Sequence, residues 1–358
     1  MSKVQKSKKY NILIDEILSY IKKNNLKRGD KLPTVLEIID KWSFSYSTVN
    51  RTLLELEKHG IIDKQKGKGL FVKNTEIPKQ VKQVALVIPD SYTENKIFMN
   101  LLNGVRNELE NAGIGMLVSI TDLNHQKEKE TIEMLISKNV DGLIIFMESN
   151  YRNDYNHITD LKDKDFPFIL IDRYIPELET DYVIVNNKDI MVRICSYLKY
   201  NRNCDSIFYV IAGDDPKGVT STEEKLEGFA IANKLLFGKD DKMVISLNEL
   251  VSNYSELLKS YDNIGLCFNY DELVTEFLNI LSEQGKEMPE NIHLFGYNNV
   301  YDEPAFPSVE QFNTEVGRKA AEILINKINN IENKEIIKYR IEPKLVIPNN
   351  KGGFHLEA

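Results

Sequence analysis

Residues 45–72 read SYSTVNRTLLELEKHGIIDKQKGKGLFV. Ser45, or Ser47 after it, is a residue type that caps helix N-termini. Val49, Leu53 and Leu56 follow at spacings of four and three, which places one apolar face on a helix. Tyr46, Ser47, Thr48, Asn50 and Arg51 supply its polar side chains, and His59-Gly60 ends it. Two short β patterns, at 61–64 and 70–73, flank Gln65-Lys66-Gly67-Lys68-Gly69. The glycines permit a tight hairpin, and Lys66 and Lys68 at its tip suit contact with phosphate.

Upstream, Tyr10, Ile14, Ile17, Leu18 and Ile21 fall on one helical face that ends near Asn24–Asn25 and Gly29. A second helix starts after Leu32-Pro33, with Thr34 as its cap, and reaches about Lys41. Three helices and a basic hairpin make a winged helix-turn-helix, whose recognition helix enters a DNA groove while the wing meets the backbone. Charge agrees with that layout. The formal net charge is −8, yet residues 1–80 hold 17 Lys+Arg against 9 Asp+Glu, a net +8, which leaves −16 on the rest. A basic head on an acidic body points to a polyanion partner for the head alone.

Residues 74–83 (NTEIPKQVKQ) are polar, contain Pro78 and lack helical period, so they read as an extended connector. Beyond them, apolar runs at 84–88, 115–120, 142–146, 168–171, 182–185, 207–211, 244–247, 264–268, 292–295 and 345–347 alternate with helical patterns. That alternation predicts an α/β body of parallel sheets in two lobes. Ligands in such sheets bind beyond the carboxyl ends of the strands. Those ends offer carboxylates, amides and rings: Tyr92, Glu148, Asp172, Arg173, Asn269, Tyr270, Asp271 and Asn298. Asp172 and Arg173 read equally as ligand contacts or as an internal ion pair.

Enzyme signatures are missing. No dinucleotide glycine motif, phosphate-binding P-loop, nucleophile elbow or zinc-protease motif occurs, and the five histidines have no metal-ligand spacing. Neither a metal nor any other cofactor is implied. Cys195, Cys204 and Cys267 form no CxxC pair and suit a reducing cytoplasm. No apolar run approaches a membrane span.

The head resembles the GntR-type winged helix-turn-helix, on Leu32-Pro33-Thr34, Ser45 to Arg51, Leu53 to Leu56, Gly60-Ile61-Ile62 and Gly67 to Val72. Where that family usually has arginine, this chain has Leu36, Tyr46 and Asn50. The body resembles the effector domain of LacI/GalR-type regulators, similar to type 1 periplasmic sugar-binding proteins. The residues that carry this are 98–113 (FMNLLNGVRNELENAG), Val140-Asp141-Gly142, Ile171-Asp172-Arg173, Thr220 to Phe229, Phe295 to Asn299, and Pro307-Ser308-Val309 followed by Glu315 to Ala321. The pairing is similar to the arabinose-repressor-like subgroup.

The resemblance implies a dimeric cytoplasmic regulator that binds double-stranded operator DNA, a repressor of carbohydrate-use genes with a small sugar-like effector between its lobes. It carries the effector site onto Phe98 (which reads equally as a core residue), Lys225 (arginine in the family), Asn269 to Asp271 and Asn298 (aspartate in the family). Hinge geometry adds Gln311. The DNA contacts would be Thr34, Ser45, Tyr46, Ser47, Thr48, Asn50, Arg51, Lys66, Gly67 and Lys68. Expected boundaries are a head at 1–75, a linker at 76–83 and an effector and dimerisation domain at 84–350. Its first lobe would take about 84–185 and 313–331, its second about 190–305 and 336–350. Two other readings stay open: a regulator with a vestigial or nucleoside-like pocket, and, more remotely, an α/β enzyme.

Overall fold

In the computed structural model the backbone is described for residues 3–74, 81–89, 96–148, 154–213, 218–238, 243–301, 305–330, 334–348 and 354–357, with side chains between Ile12 and Pro348. The chain divides into two compact units, Met1–Val81 and Lys82–Ala358. Most of the expected linker, residues 75–80, lies outside the described residues, as does Tyr92.

The first unit contains α1 (Lys3–Lys23), α2 (Val35–Trp42), α3 (Tyr46–Lys58) and the antiparallel hairpin β1 (Ile62–Gln65) and β2 (Gly69–Val72). Leu13, Ile17 and Ile21 of α1 pack with Val49, Leu53 and Leu56 of α3 and with Leu70 and Val72 of the hairpin. Leu13 is fully buried, whereas Ile14 and Leu18 only flank this core, so the buried stripe of α1 sits one position off the expected one. Thr34 caps α2 through a reciprocal pair of bonds. Its hydroxyl accepts the Glu37 N–H at 3.3 Å, and Glu37 accepts the Thr34 N–H at 2.7 Å. The backbone bond from Thr34, with a further one from its hydroxyl, holds the Glu37 carboxyl below its usual range. The hairpin strands start one residue away from expectation; the Ile61 N–H closes the end of α3 on Leu56 O at 2.9 Å, while its carbonyl accepts the Lys73 N–H across the wing at 2.8 Å.

The second unit begins with a first lobe: β3 (Gln83–Ile88), α4 (Lys96–Asn111), β4 (Gly115–Ile120), α5 (His125–Ser137), β5 (Gly142–Phe146), α6 (Asn156–Asp163), β6 (Phe168–Ile171) and β7 (Tyr182–Val185). The second lobe follows with α7 (Asn187–Asn201), β8 (Ser206–Ile211), α8 (Thr220–Phe237), β9 (Val244–Ser246), α9 (Leu247–Ser252), α10 (Tyr254–Ser260), β10 (Ile264–Phe268), α11 (Asp271–Glu283), β11 (Ile292–Phe295) and β12 (Ser308–Glu310). The chain returns to the first lobe as α12 (Asn313–Asn329) and β13 (Lys338–Ile341), then ends in β14 (Lys344–Pro348) and β15 (Phe354–Glu357).

Two parallel sheets result. One runs β13-β7-β6-β5-β3-β4 and the other β11-β10-β8-β9, with a small antiparallel sheet β12-β14-β15 beside the second. β5, β6 and β7 are buried at every position, which is why they read as unbroken apolar runs.

One boundary needs correction. β13 pairs with β7 in the first-lobe sheet, Lys338 opposite Tyr182 and Ile341 opposite Val185, so residues 338–341 do not belong to the second lobe. The last crossing falls at Glu342-Pro343 rather than between 331 and 336. β13 is an edge strand with three of its four residues exposed, so it leaves no apolar run to read.

α12 covers the first-lobe sheet together with α4. The two helices touch backbone to backbone at two glycines. A β-carbon on Gly104 would lie 2.0 Å from Thr314 O, and one on Gly317 would lie 2.2 Å from Leu101 O. Val316, Ala320 and Leu324 then reach Leu101, Val105 and Ile144 in the first-lobe core.

Candidate functional site

The carboxyl ends of β5, β6 and β7 in one lobe and of β8 and β10 in the other open on a cavity of about 320 Å³. Its apolar wall includes Ile97, Leu101, Phe146, Ile171, Val185, Val219 and Val316. Its polar wall includes Asp172, Arg173, Asn187, Ser221, Thr222, Lys225, Asn269, Tyr270, Asn298, Gln311 and Asn313. Seven of the residues expected at the site therefore meet here: Asp172, Arg173, Lys225, Asn269, Tyr270, Asn298 and Gln311.

Arg173 is held from three sides. Its Nη1 donates to Met147 O at 3.0 Å, its Nε lies 3.4 Å from Asp172 Oδ2, and the guanidinium sits 5.1 Å from the Phe146 ring centroid. Asp172 and Arg173 are thus both an ion pair and part of the wall. Asp172 adopts φ 62°. This left-handed conformation turns the chain out of β6. Buried Lys225 donates from Nζ to Asn269 O at 3.1 Å and to Asn269 Oδ1 at 3.2 Å. Its ammonium sits 3.8 Å above the Tyr297 ring, a cation–π contact. Tyr297 donates to Asn187 Oδ1 at 2.7 Å, and burial drives its phenol well above the ordinary range. Gln311 donates to Asn298 Oδ1. Asn298 has φ 103°. L-residues rarely adopt that conformation, which costs about 1–3 kcal/mol.

Three expected residues sit elsewhere. Phe98 packs into the first-lobe core, and its helical neighbour Ile97 takes the cavity position instead. Glu148 lies 4.0 Å from His125 Nδ1 and donates its backbone N–H to Glu128 at 2.6 Å, outside the wall. Glu128 in turn meets His157 Nε2 at 2.7 Å in a buried pair. Asp271 is fully buried and acts as a clamp. It accepts the Ser308 hydroxyl at 2.7 Å and the Val300 N–H at 3.0 Å, which fixes the turn that presents Asn298.

Desolvation pushes the Asp271 carboxyl up to about 6 from 3.8, against the pull of those two hydrogen bonds. The folded state therefore holds the proton more tightly than the unfolded one. The contribution of this group is complete below about pH 4 and is lost as pH rises through about 6. The unfolding free energy of the wild type minus that of Asp271→Asn should fall by about 3 kcal/mol between about pH 4 and pH 7. Urea titrations across that range measure it; a constant difference would show that folding does not raise the Asp271 carboxyl.

Asn187 lies at a strand end, two residues past β7, but is not among the expected site residues, and strand-end reasoning does not reach Ser221, Thr222 and Asn313. Each lies in the first turn of a helix that follows a strand, so extending the rule by one helical turn would find them. A second connection between lobes lies beside them. Arg340 on β13 forks onto Glu224 of α8 at 2.7 and 3.1 Å, and the Tyr174 hydroxyl donates to Glu224 at 3.1 Å. Removing the arginine strands a carboxylate that is 10% exposed. Since the arginine end is partly solvated, Arg340→Met should cost about 2 kcal/mol, below the range for a fully buried pair. Chemical denaturation reads this, and Glu224→Gln in the same chain should recover part of the loss.

In the first unit, Tyr46, Ser47, Arg51, Lys66, Gly67 and Lys68 are exposed, and Asn50 is half-buried. Ser45, not Ser47, is the cap of α3: its Oγ accepts the Thr48 N–H at 3.3 Å and meets the Thr48 hydroxyl at 2.8 Å. Gly67 takes φ 76° at the hairpin tip, which leaves Lys66 and Lys68 on a narrow exposed turn.

Comparison with known families fits both halves. Residues 81–348 match the model for periplasmic binding proteins and the sugar binding domain of the LacI family. The chain belongs to that family. Its residues 9–72 match the model for bacterial regulatory proteins of the gntR family, so this LacI-type body carries a GntR-type head.

Over 361 residues the chain is 26% identical to an arabinose metabolism transcriptional repressor of Geobacillus stearothermophilus, covering 96% of this chain and 97% of the relative. It is 24% identical to a ribose operon repressor of Halalkalibacterium halodurans, covering 91% and 99%. Among solved structures, a LacI family regulator from Enterococcus faecium with bound ribose shares the fold at a TM-score of 0.59 and 22% identity, over 74% of this chain and 96% of that one.

Proposed function

We propose that this LacI-type chain is a cytoplasmic transcriptional repressor of carbohydrate-use genes, whose operator affinity is set by a small sugar-like effector. One observation carries the reading. A single chain joins a helix-turn-helix with a basic hairpin tip to a cavity walled by polar side chains from two lobes. The arabinose and ribose repressors it is similar to support the same assignment.

The head contacts would be Tyr46, Ser47, Asn50 and Arg51 at the groove, and Lys66 and Lys68 at the backbone. The effector would sit among Asp172, Arg173, Lys225, Asn269, Tyr270, Asn298 and Gln311. It acts only if it binds one arrangement of the lobes more tightly than another. Two copies would pair through the first lobe, so that two heads meet two half-sites of a palindromic operator. In support, the edge strand β4 leaves Val118 and Ile120 40% and 37% exposed on one face.

Selection of bound fragments from genomic DNA, followed by gel shifts against a sugar panel, tests the whole reading. A recovered palindrome whose occupancy changes with one sugar supports it. Failure to enrich any fragment sinks it, and enrichment insensitive to every small molecule removes the effector.

A further inference from the structure

We propose that the cavity takes a hydroxylated small-molecule anion, the size of one sugar ring with a carboxylate or phosphate group, in preference to a neutral sugar. This rests on the effector reading above and narrows it.

Charge favours an anion. Among the described residues of the wall, only Asp172, Arg173 and Lys225 are charged, one acid against two bases. Glu224, next to Lys225 in sequence, faces the fork of Arg340 and the Tyr174 hydroxyl.

Hydrogen-bonding capacity points the same way. A sugar hydroxyl both donates and accepts, so a neutral sugar needs acceptors in the wall as well as donors. Here three of the five side-chain amide oxygens of the wall, those of Asn187, Asn269 and Asn298, are consumed within the protein. Asn269 Oδ1 takes the Lys225 ammonium and, at 2.7 Å, the Tyr209 hydroxyl. An ammonium can only donate, so this orientation is fixed, and Nδ2 is the end of this buried amide left for a ligand. Asn187 Oδ1 is taken by Tyr297, and Asn298 Oδ1 by Gln311. Asp172, Gln311, Asn313 and the hydroxyls keep acceptors in the wall, but occupying these three oxygens shifts its balance toward donors, which suits groups that only accept.

The backbone contributes as well. α7, α8 and α12, of 15, 18 and 17 residues, begin at this cavity, and none has a capping bond from its cap residue, although Glu310 accepts the Phe312 N–H at α12 and Glu223 the Gly218 N–H before α8. Three helix N-termini converge on one space, a setting that favours anions, though Asp189, Glu223 and Glu315 in their first turns offset part of that field. The volume, about 320 Å³, fits one ring rather than two. It is at the small end for ligand pockets.

The test is calorimetric titration of the full-length protein with a fixed panel: neutral pentoses and hexoses, aldonates and uronates, and pentose and hexose phosphates. An acid or a phosphate ester should bind at least tenfold more tightly than its neutral parent, and its Kd should rise several-fold between about 50 and 300 mM NaCl. The two anionic arms decide between carboxylate and phosphate. Asn298→Asp, which adds a carboxylate while still accepting from Gln311, should weaken the anion at least tenfold. Lys225→Gln is the second variant if the first melts early. Tightest binding of a neutral sugar, unchanged in Asn298→Asp, overturns the inference and leaves the effector reading intact. Silence across the whole panel overturns both.

Discussion

Gly317→Val should destabilise the second unit by about 4 kcal/mol or more, lowering its melting temperature by roughly 10 °C. The β-carbon alone would lie 2.2 Å from Leu101 O and 3.0 Å from Val105 N, and neither can step aside, because both are backbone atoms of a helix. The helices would have to separate, opening voids between Val316, Ala320 and Leu324 and the sheet beneath them. The damage reaches the cavity as well, since Asn313 and Val316 at the start of α12 form part of its wall. Glu322→Ala on the same helix is the control. It removes only partly exposed ion pairs with Arg318 and Lys319. That should cost under about 1 kcal/mol. A valine variant that melts within about 2 °C of wild type would show that the helices do not touch as described.

The second large effect concerns DNA. Lys66→Ala with Lys68→Ala should lower the slope of log affinity against log salt by about 2, one for each phosphate no longer neutralised. The weakening should be similar on any duplex sequence and roughly tenfold or more at physiological salt. Arg51→Ala should behave differently. If α3 enters the groove as proposed, Arg51 would reach a base edge, so its cost of about 1–3 kcal/mol should depend on sequence. Neither change touches Val49, Leu53 or Leu56, so the head should keep its fold. Fluorescence anisotropy across a salt series separates the two. An unchanged slope in the double variant would remove the wing from the interface.

Legibility followed burial. Strands covered on both faces, such as residues 142–146 and 168–171, show in the sequence as plain apolar runs, and the strand ends lead to five residues of the cavity wall, with Lys225 added by the family resemblance and Gln311 by hinge geometry. β13 has no such run, and the helix over Asn156–Asp163 is only two turns long, with three buried positions. Within the site, two of the misplaced residues share one cause. Phe98 against Ile97 is a rotation of one helical position, and Asp271 against Tyr270 is one step across a helix start. Strand-end reasoning locates a cavity to within a residue or two, but it cannot say which of two neighbours points inward. Ser221, Thr222 and Asn313 are equally visible, but as first-turn residues they read as helix.

The return of α12 to the first lobe also sets an order of events during synthesis. α4 ends at Asn111 and its partner α12 starts at Asn313, so the ribosome adds about two hundred residues between them. At roughly 5–20 residues per second, one face of the first sheet waits about 10–40 s for its cover. The parallel sheet of the second lobe is made from one contiguous stretch and can close meanwhile. A nascent chain would therefore carry a finished second-lobe sheet and a half-open first lobe, with Leu101, Val105 and Ile144 uncovered. That interval is when the chain would most need a chaperone.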